Sequence, residues 1–385
     1  MHGTPDPGSG GSTDQIPTLR EDEAPPPGPA PTGALPDLGP RYQLRACLGH
    51  GGMGTVYAAH DLDLDELVAI KLLRADLTDG AEAQARLRHE VRLARRVSHP
   101  NVCRVHDLGQ HGGRVFITME LVPGQSLRTH LAEVRAGQRP PFALARVVDL
   151  LTQLGAGLAA AHRAGVIHRD VKPDNVMLSD QRVVITDFGI ATPAGTAREL
   201  IGTPGYLAPE TVTGQAFDHR ADVYALAVLA YELLAGRPPF AVRSTADALT
   251  VAQGRRAYPP LPTALATAVV REELDAVLAR ALAIDPAART PSVEAMTRGL
   301  AMALAGAGQL ERALTSGERG EAAVTTPTTL RHGEARRIAI VRVHGEPLDE
   351  RALTLVAEAG GTVVRTDPTS LVALFGAPVS FGDDV

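Results

Sequence analysis

An α+β fold in two lobes, a small β-rich one and then a larger helical one, followed by a short α/β segment, is predicted from three observations. Short apolar alternations fill residues 42–121, long Ala- and Leu-rich stretches fill 143–305, and the texture changes beyond Pro123-Gly124. A ligand cleft is expected where the two lobes meet.

Taken in order, residues 1–38 are rich in Pro, Gly, Ser and Thr without hydrophobic periodicity and read as a disordered arm. The alternating runs 42–48, 55–59 and 67–72 predict antiparallel strands joined by turns. A charged stretch, 81–97, predicts a helix with Leu87, Val91 and either Leu93 or Ala94 facing inward. Strands follow at 102–108 and 115–121, then helices at 143–164, 222–235, 271–283 and 292–305. Residues 306–335, with Gly, Glu and a Thr-rich run, read as a linker, and 337–385 as a last small α/β piece.

Composition narrows the function classes. A net charge of -6 and a pI near 6.1 give no electrostatic reason to expect nucleic acid or an anionic membrane as partner. Cys47 and Cys103 lie far apart without metal-ligand spacing, so neither a disulfide framework nor a zinc site is indicated and a reducing cytoplasm fits. No basic start precedes an apolar run at the N-terminus, and no stretch approaches the roughly 18 uninterrupted apolar residues of a membrane helix, so a soluble, cytoplasmic protein is expected.

The chain contains two lysines, Lys71 and Lys172; all other basic residues apart from histidine are arginine. Lysine is a compact charge on a slim stem, and a planar guanidinium does not replace it between phosphate oxygens. Lys71 ends Val68-Ala69-Ile70-Lys71, and Lys172 lies in His168-Arg169-Asp170-Val171-Lys172-Pro173-Asp174-Asn175. Upstream, Gly49-His50-Gly51-Gly52-Met53-Gly54-Thr55-Val56 falls between two expected strands. Dinucleotide folds use a similar string to join a strand to a helix; a strand on both sides favours instead a hairpin over ATP phosphates, whose backbone amides approach because side chains are missing.

With these motifs the chain resembles the protein kinase family, specifically the bacterial serine/threonine kinases of eukaryotic type, over residues 42–305. The resemblance implies the bilobal protein kinase fold, with ATP and Mg2+ as cofactors and protein Ser/Thr hydroxyls as substrates. It makes Gly49, Gly51, Gly54, Val56, Ala69 and Lys71 nucleotide-binding residues, Lys71 holding the α- and β-phosphates. Glu90 is implied as the ion-pair partner of Lys71, with Glu82 the competing choice; Ser98-His99-Pro100-Asn101, similar to the segment ending this helix in the family, favours Glu90. Thr118-Met119-Glu120-Leu121-Val122 resembles the hinge, with Met119 as gatekeeper or simple core residue and backbone groups of Glu120 and Val122 on adenine. Asp170 would orient or accept the proton of the substrate hydroxyl, Lys172 touch the γ-phosphate, and Asn175 and Asp187 of Asp187-Phe188-Gly189 bind magnesium.

The remaining signatures imply scaffold and regulation. Glu210 of Ala208-Pro209-Glu210 would pair with Arg289, and Asp222 would brace the catalytic-loop backbone. Gly202-Thr203-Pro204-Gly205-Tyr206 is similar to the substrate-docking loop of serine/threonine kinases. Arg169 stands where a family arginine contacts a phosphorylated activation segment, so autophosphorylation is expected between Asp187 and Thr203, at Thr196 first and Thr192 second, with Thr203 structural. A transient homodimer would allow that reaction in trans. The alternative class is a nucleotide-binding scaffold that signals by conformation. The presence of Lys71, Asp170, Asn175 and Asp187 together argues for an enzyme.

Residues 359–379 resemble part of a class III nucleotide cyclase homology domain. The strand Ile338–His344 lacks the aspartate that active cyclases carry, and Thr369 falls where the hairpin aspartate would stand. The segment therefore reads as a degenerate sensory or docking module or part of a longer fusion. The chain is expected to form no cyclic nucleotide with magnesium or manganese, which a cyclic-nucleotide assay reads directly.

Overall fold

The computed structural model describes residues 35–180, 182–188, 204–263, 265–266, 268–315, 339–344, 361–367 and 370–375. The chain divides into two compact units, Met1–Gly317 and Glu318–Val385. The architecture of the first is the expected α+β bilobal one.

The small lobe is a five-stranded sheet in the order β1-β2-β3-β5-β4: β1 Tyr42–Gly51, β2 Gly54–Asp61, β3 Glu66–Leu73, β4 Val105–His111 and β5 Arg114–Glu120. All neighbours in this sheet are antiparallel. β3 is apolar on both faces because both are covered. Val68 and Ile70 pack outward with Ala59 and Phe116, whereas Ala69 joins the main core. Leu38, expected in the disordered arm, is buried against that outer cluster, because one more apolar side chain closes the face.

Between β3 and β4 run a single turn, α1 Ala75–Thr78, and α2 Ala81–Ala94, with Leu87, Val91 and Ala94 buried on one stripe. The expected strand at 102–108 starts later, at Val105. Its first residues join the large lobe instead: Cys103 N–H donates to Ile185 O at 2.8 Å and Ile185 N–H to Asn101 O at 2.9 Å.

After the hinge, β6 Gln125–Ser126 leads into α3 Leu127–Arg135, capped by the Ser126 side chain accepting from Thr129 N–H. β6 pairs with the hairpin β7 Val176–Ser179 and β8 Arg182–Ile185. Gly124 permits this docking: its φ is +109°, and a Cβ there would lie 2.0 Å from Leu178 O.

The helical lobe is built round α4 Leu144–Arg163 and α6 Arg220–Ala235. α6 is buried on all sides from Ala221 to Leu234, as a central helix must be if it is apolar all round. α4 is long and apolar enough to cross a bilayer by composition, but Leu150, Leu151, Leu154 and Leu158 are buried in this core. α5 Pro209–Val212, α7 Thr245–Ala252, α8 Ala268–Ala281 and α9 Val293–Thr315 complete the lobe. α9 runs into the stretch expected as linker, because Leu310, Glu311, Arg312, Ala313 and Leu314 are strong helix formers that outweigh Gly306 and Gly308.

In the second unit β9 Ala339–His344, β10 Gly361–Asp367 and β11 Ser370–Phe375 form an antiparallel sheet in the order β10-β11-β9.

One buried ion pair ties α5 to the loop before α9. Arg289 Nη1 and Nη2 donate to Glu210 Oε1 and Oε2 at 2.7 and 2.9 Å, and Arg289 also donates to the carbonyls of Arg220, Ala283 and Ile284. Both side chains are almost wholly inaccessible. Truncating one leaves the other charge buried and unpaired, so Arg289→Ala should cost about 3–5 kcal/mol in denaturant unfolding. Arg163→Ala, which breaks the exposed pair with Glu294, should cost less than about 1 kcal/mol.

Candidate active site

The catalytic-loop residues are held by one buried carboxylate. Asp222, in the first turn of α6, accepts from the backbone N–H of His168 at 2.8 Å, from that of Arg169 at 2.9 Å, and shares a 2.7 Å hydrogen bond with His162 Nε2 of α4. Burial alone would push this carboxyl up; the hydrogen bond and charge of His162, with the backbone hydrogen bond from His168, outweigh burial and hold it below the usual carboxylate range. Arg169, which carries the second of these N–H groups, has φ +69°, a left-handed conformation costly for any residue other than glycine. His162 was not singled out from the sequence, although a polar side chain on the buried face of an Ala/Leu-rich helix is the signal that could have found it.

Downstream, His168 locks the loop from inside. Its Nδ1 accepts from Asp170 N–H at 3.2 Å and its Nε2 donates to Thr186 O at 3.0 Å, while its ring lies 4.6 Å from that of Phe188. The Asp170 carboxylate is oriented by two donors: Lys172 Nζ at 2.8 Å and Asn175 Nδ2 at 2.9 Å from the same Oδ2. Asn175 Nδ2 is also 2.8 Å from Asp170 O. Thr186 N–H donates to Asn175 O at 2.9 Å, which sets Asn175 and Asp187 side by side at the mouth of the β7–β8 hairpin.

Lys71 lies across the cleft on β3, largely buried, with Nζ 2.9 Å from Asp187 Oδ1. The expected Lys71–Glu90 pair is not what the structure contains. Glu90 of α2 instead accepts from Arg169 Nη1 at 3.2 Å. Two anions face two cations here, and each anion takes the nearer one. Glu82, the competing choice, stands in the first turn of α2 and is exposed. Burial pushes the Glu90 carboxyl up against the opposing pull of Arg169, its hydrogen-bond partner, and of the Arg86 charge. Asp187 itself has φ +58°, a second non-glycine residue in the left-handed region at the same site.

The glycine-rich turn joins β1 to β2, with Gly51 opposite Gly54. Gly54 is required by the protein: at φ +151° its Cβ would lie 2.0 Å from Leu72 O of the strand carrying Lys71. A Cβ at Gly49 would meet no atom within 4 Å, so the fold gives no steric reason for glycine there. Val56 pairs with Lys71 and Ala69 with Met119, which lines the sheet's inner surface with the expected nucleotide-binding positions. Met119 is buried beside Cys103, Val105, Ile117 and Phe188 around a small cavity behind Lys71. Burial pushes the Cys103 thiol well up, so it is a neutral wall of that cavity. At the hinge, Glu120 N–H donates to Arg104 O at 2.9 Å, and the Glu120 carbonyl accepts from Cys103 Sγ at 3.5 Å. Val122 is buried next along the hinge.

Asp187 and Asn175 fit magnesium, a hard cation that takes one or two carboxylates, an amide oxygen, phosphate oxygens and water. Among the described residues there is no group of three or more His, Cys, Asp or Glu side chains placed to hold a metal ion. Gly189, Thr192, Thr196, Gly202 and Thr203 lie outside the described residues.

A β-sheet lobe with a glycine turn and buried lysine, set over a helical lobe that presents an oriented Asp170, defines a phosphoryl-transfer fold. Residues 42–299 match the protein kinase domain, and the chain belongs to the protein kinase family. Relatives within that family include bacterial serine/threonine kinases. The chain is 37% identical over 275 residues to serine/threonine-protein kinase PknJ of Mycobacterium tuberculosis, covering 69% of this chain and 46% of the relative. It is 38% identical over 271 residues to serine/threonine-protein kinase pkn3 of Myxococcus xanthus, covering 66% and 48%. The chain thus spans about half the length of these relatives. The crystal structure of the Mycobacterium tuberculosis PknI kinase domain superposes with a TM-score of 0.56 at 32% identity, over 70% of this chain and all of that one.

The lowered Asp222 carboxyl predicts an acid-labile loop. Its stabilisation is fully present above the unfolded-state value of about 4 and is lost as pH falls through the lower folded-state value. Asp222→Asn should therefore unfold at lower denaturant than wild type near neutrality and show a flatter acid limb, measured by denaturation across a pH series.

Proposed function

We propose that this chain transfers the γ-phosphoryl group of Mg-ATP to Ser or Thr hydroxyls of proteins. The observation that carries the reading is the Asp170 carboxylate, aimed by Lys172 and Asn175 from a loop whose backbone is fixed by Asp222. The acceptor hydroxyl attacks the γ-phosphorus in line, its proton passes to Asp170, and the bond to ADP breaks. Lys172 supplies positive charge beside the transferring group, and Lys71 holds the α- and β-phosphates under the glycine turn. Asn175 and Asp187 would hold the magnesium, which would supply positive charge to neutralise the phosphates during transfer. Most of the catalysis is then positioning and electrostatic stabilisation rather than covalent chemistry.

The Glu90–Arg169 pair supports a regulated form of this activity. A phosphate added between Asp187 and Thr203, with Thr196 the first site and Thr192 the second, offers Arg169 a dianion stronger than one carboxylate. Glu90 is then released to Lys71, completing the pair expected from the sequence. The modification proceeds in trans between copies in a transient homodimer. The second unit serves as a degenerate cyclase-like sensory or docking module.

Transfer of labelled phosphate from ATP with magnesium to a generic protein substrate tests the activity. Lys71→Met and Asp187→Asn should abolish it, and Asp170→Asn should lower it by about 10²–10⁴-fold; ATP binding without transfer in wild type would move the chain to the scaffold class. Phosphopeptide mapping of the active protein should place label on Thr196 or Thr192, and an active protein with no modified residue between Asp187 and Thr203 would remove the switch.

A further inference from the structure

Beside the catalytic loop stands a charged cluster that the phosphoryl-transfer chemistry does not use. Asp174 lies between Lys172 and Asn175 in a 3-10 turn at Pro173–Asn175, and its carboxylate is half exposed. Glu232 of α6 is almost wholly buried. Tyr206, in the loop similar to the substrate-docking segment, donates its hydroxyl hydrogen to Glu232. A carboxylate pair this close to the acceptor site is what would recruit a basic residue of a peptide, through charge-assisted hydrogen bonds to a guanidinium.

In this chain both carboxylates are already taken by arginines of α3. Leu127, His130 and Leu131 bury one side of that helix, and Arg128 is directed to the other. Arg128 Nε and Nη2 donate to Asp174 Oδ2 at 3.2 and 3.1 Å, Nη1 is 3.7 Å from Glu232 Oε1, and Nη2 is 3.4 Å from Tyr206 Oη. Its guanidinium carbon is also 5.9 Å from the centre of the Tyr206 ring. Arg135, about two helical turns further on, donates to Glu232 and to Gly236 O. Two cations and two anions leave no net charge, and the guanidinium of Arg128 occupies the place where a substrate guanidinium would bind.

We infer that Arg128 is a specificity-determining residue: it fills the acidic subsite beside the acceptor hydroxyl, so that the protein selects Ser/Thr segments without a basic residue at the position facing Asp174 and Glu232. An incoming arginine would have to displace Arg128 and then lie against a like charge. This rests on the protein-phosphorylation reading, which the same experiment checks separately.

The test is a set of Ser/Thr peptides in which a single Arg is moved through the positions on either side of the acceptor, with Ala in its place as reference, assayed on the full chain by kcat/KM. Wild type should favour Arg at no position. Arg128→Ala should raise the Arg-to-Ala ratio at one position by about tenfold or more, the scale of a charge-assisted contact, and Asp174→Asn added to that variant should take the gain away. Asp174→Asn alone should leave the wild-type ratios unchanged, because its carboxylate is not available to substrate. A wild-type preference for Arg that Asp174→Asn removes overturns the inference without need of the Arg128 variant, and so does an active Arg128→Ala protein with unaltered ratios. No transfer from wild type to any peptide or protein overturns the phosphorylation reading as well.

Discussion

The working shape of the site depends on the Asp222 carboxylate. Left-handed backbone at a non-glycine residue persists only where its surroundings over-determine it. Here α6 does so from below, with one buried anion receiving two successive backbone N–H groups of the catalytic loop and the His162 side chain. Because α6 is buried on all sides, the position of that anion is fixed by the packing of the whole helical lobe. The loop inherits its precision from the core, and His168, Asp170, Lys172 and Asn175 take their places by local hydrogen bonds built on that support.

The cleft above the loop is organised by an economy of charge. Four ionic side chains, Lys71, Glu90, Arg169 and Asp187, are paired two by two across the lobes. Each could satisfy a different partner at little change in total charge, so a new anion has leverage over all four. The Glu210–Arg289 pair is the opposite kind of interaction. It is buried and bidentate, with three further carbonyls around the guanidinium, and it makes a fixed joint rather than an exchangeable one.

Much of this was legible in the sequence because chemistry restricts residue type at fixed spacing. The loop from His168 to Asn175 is local, so its hydrogen bonds follow from the order of its residues. The strands and the long helices announced themselves by period. What was not legible depends on geometry across long separations. Whether Glu90 meets Lys71 or Arg169 is decided by where α2 lies, and both cations are compatible with its sequence. The short elements β6, β7, β8 and α7 carry too few residues for a period to show, and α3 is only nine residues long. Leu38 sits at the end of a Pro/Gly-rich stretch that hides its apolar role, and the end of α9 is helical despite two glycines.

The scarcity of lysine has a consequence for how this molecule meets electrophiles. Both side-chain amines of the chain stand in one cleft, where Lys71 is held by Asp187 and Lys172 by Asp170, each mostly shielded from water. The outer surface presents guanidinium groups, which acylating reagents leave untouched at neutral pH because they stay protonated. Covalent chemistry that seeks a side-chain amine, from acyl phosphates to conjugation by enzymes, therefore has the nucleotide cleft as its sole address, and occupancy of that cleft becomes readable as protection of an amine.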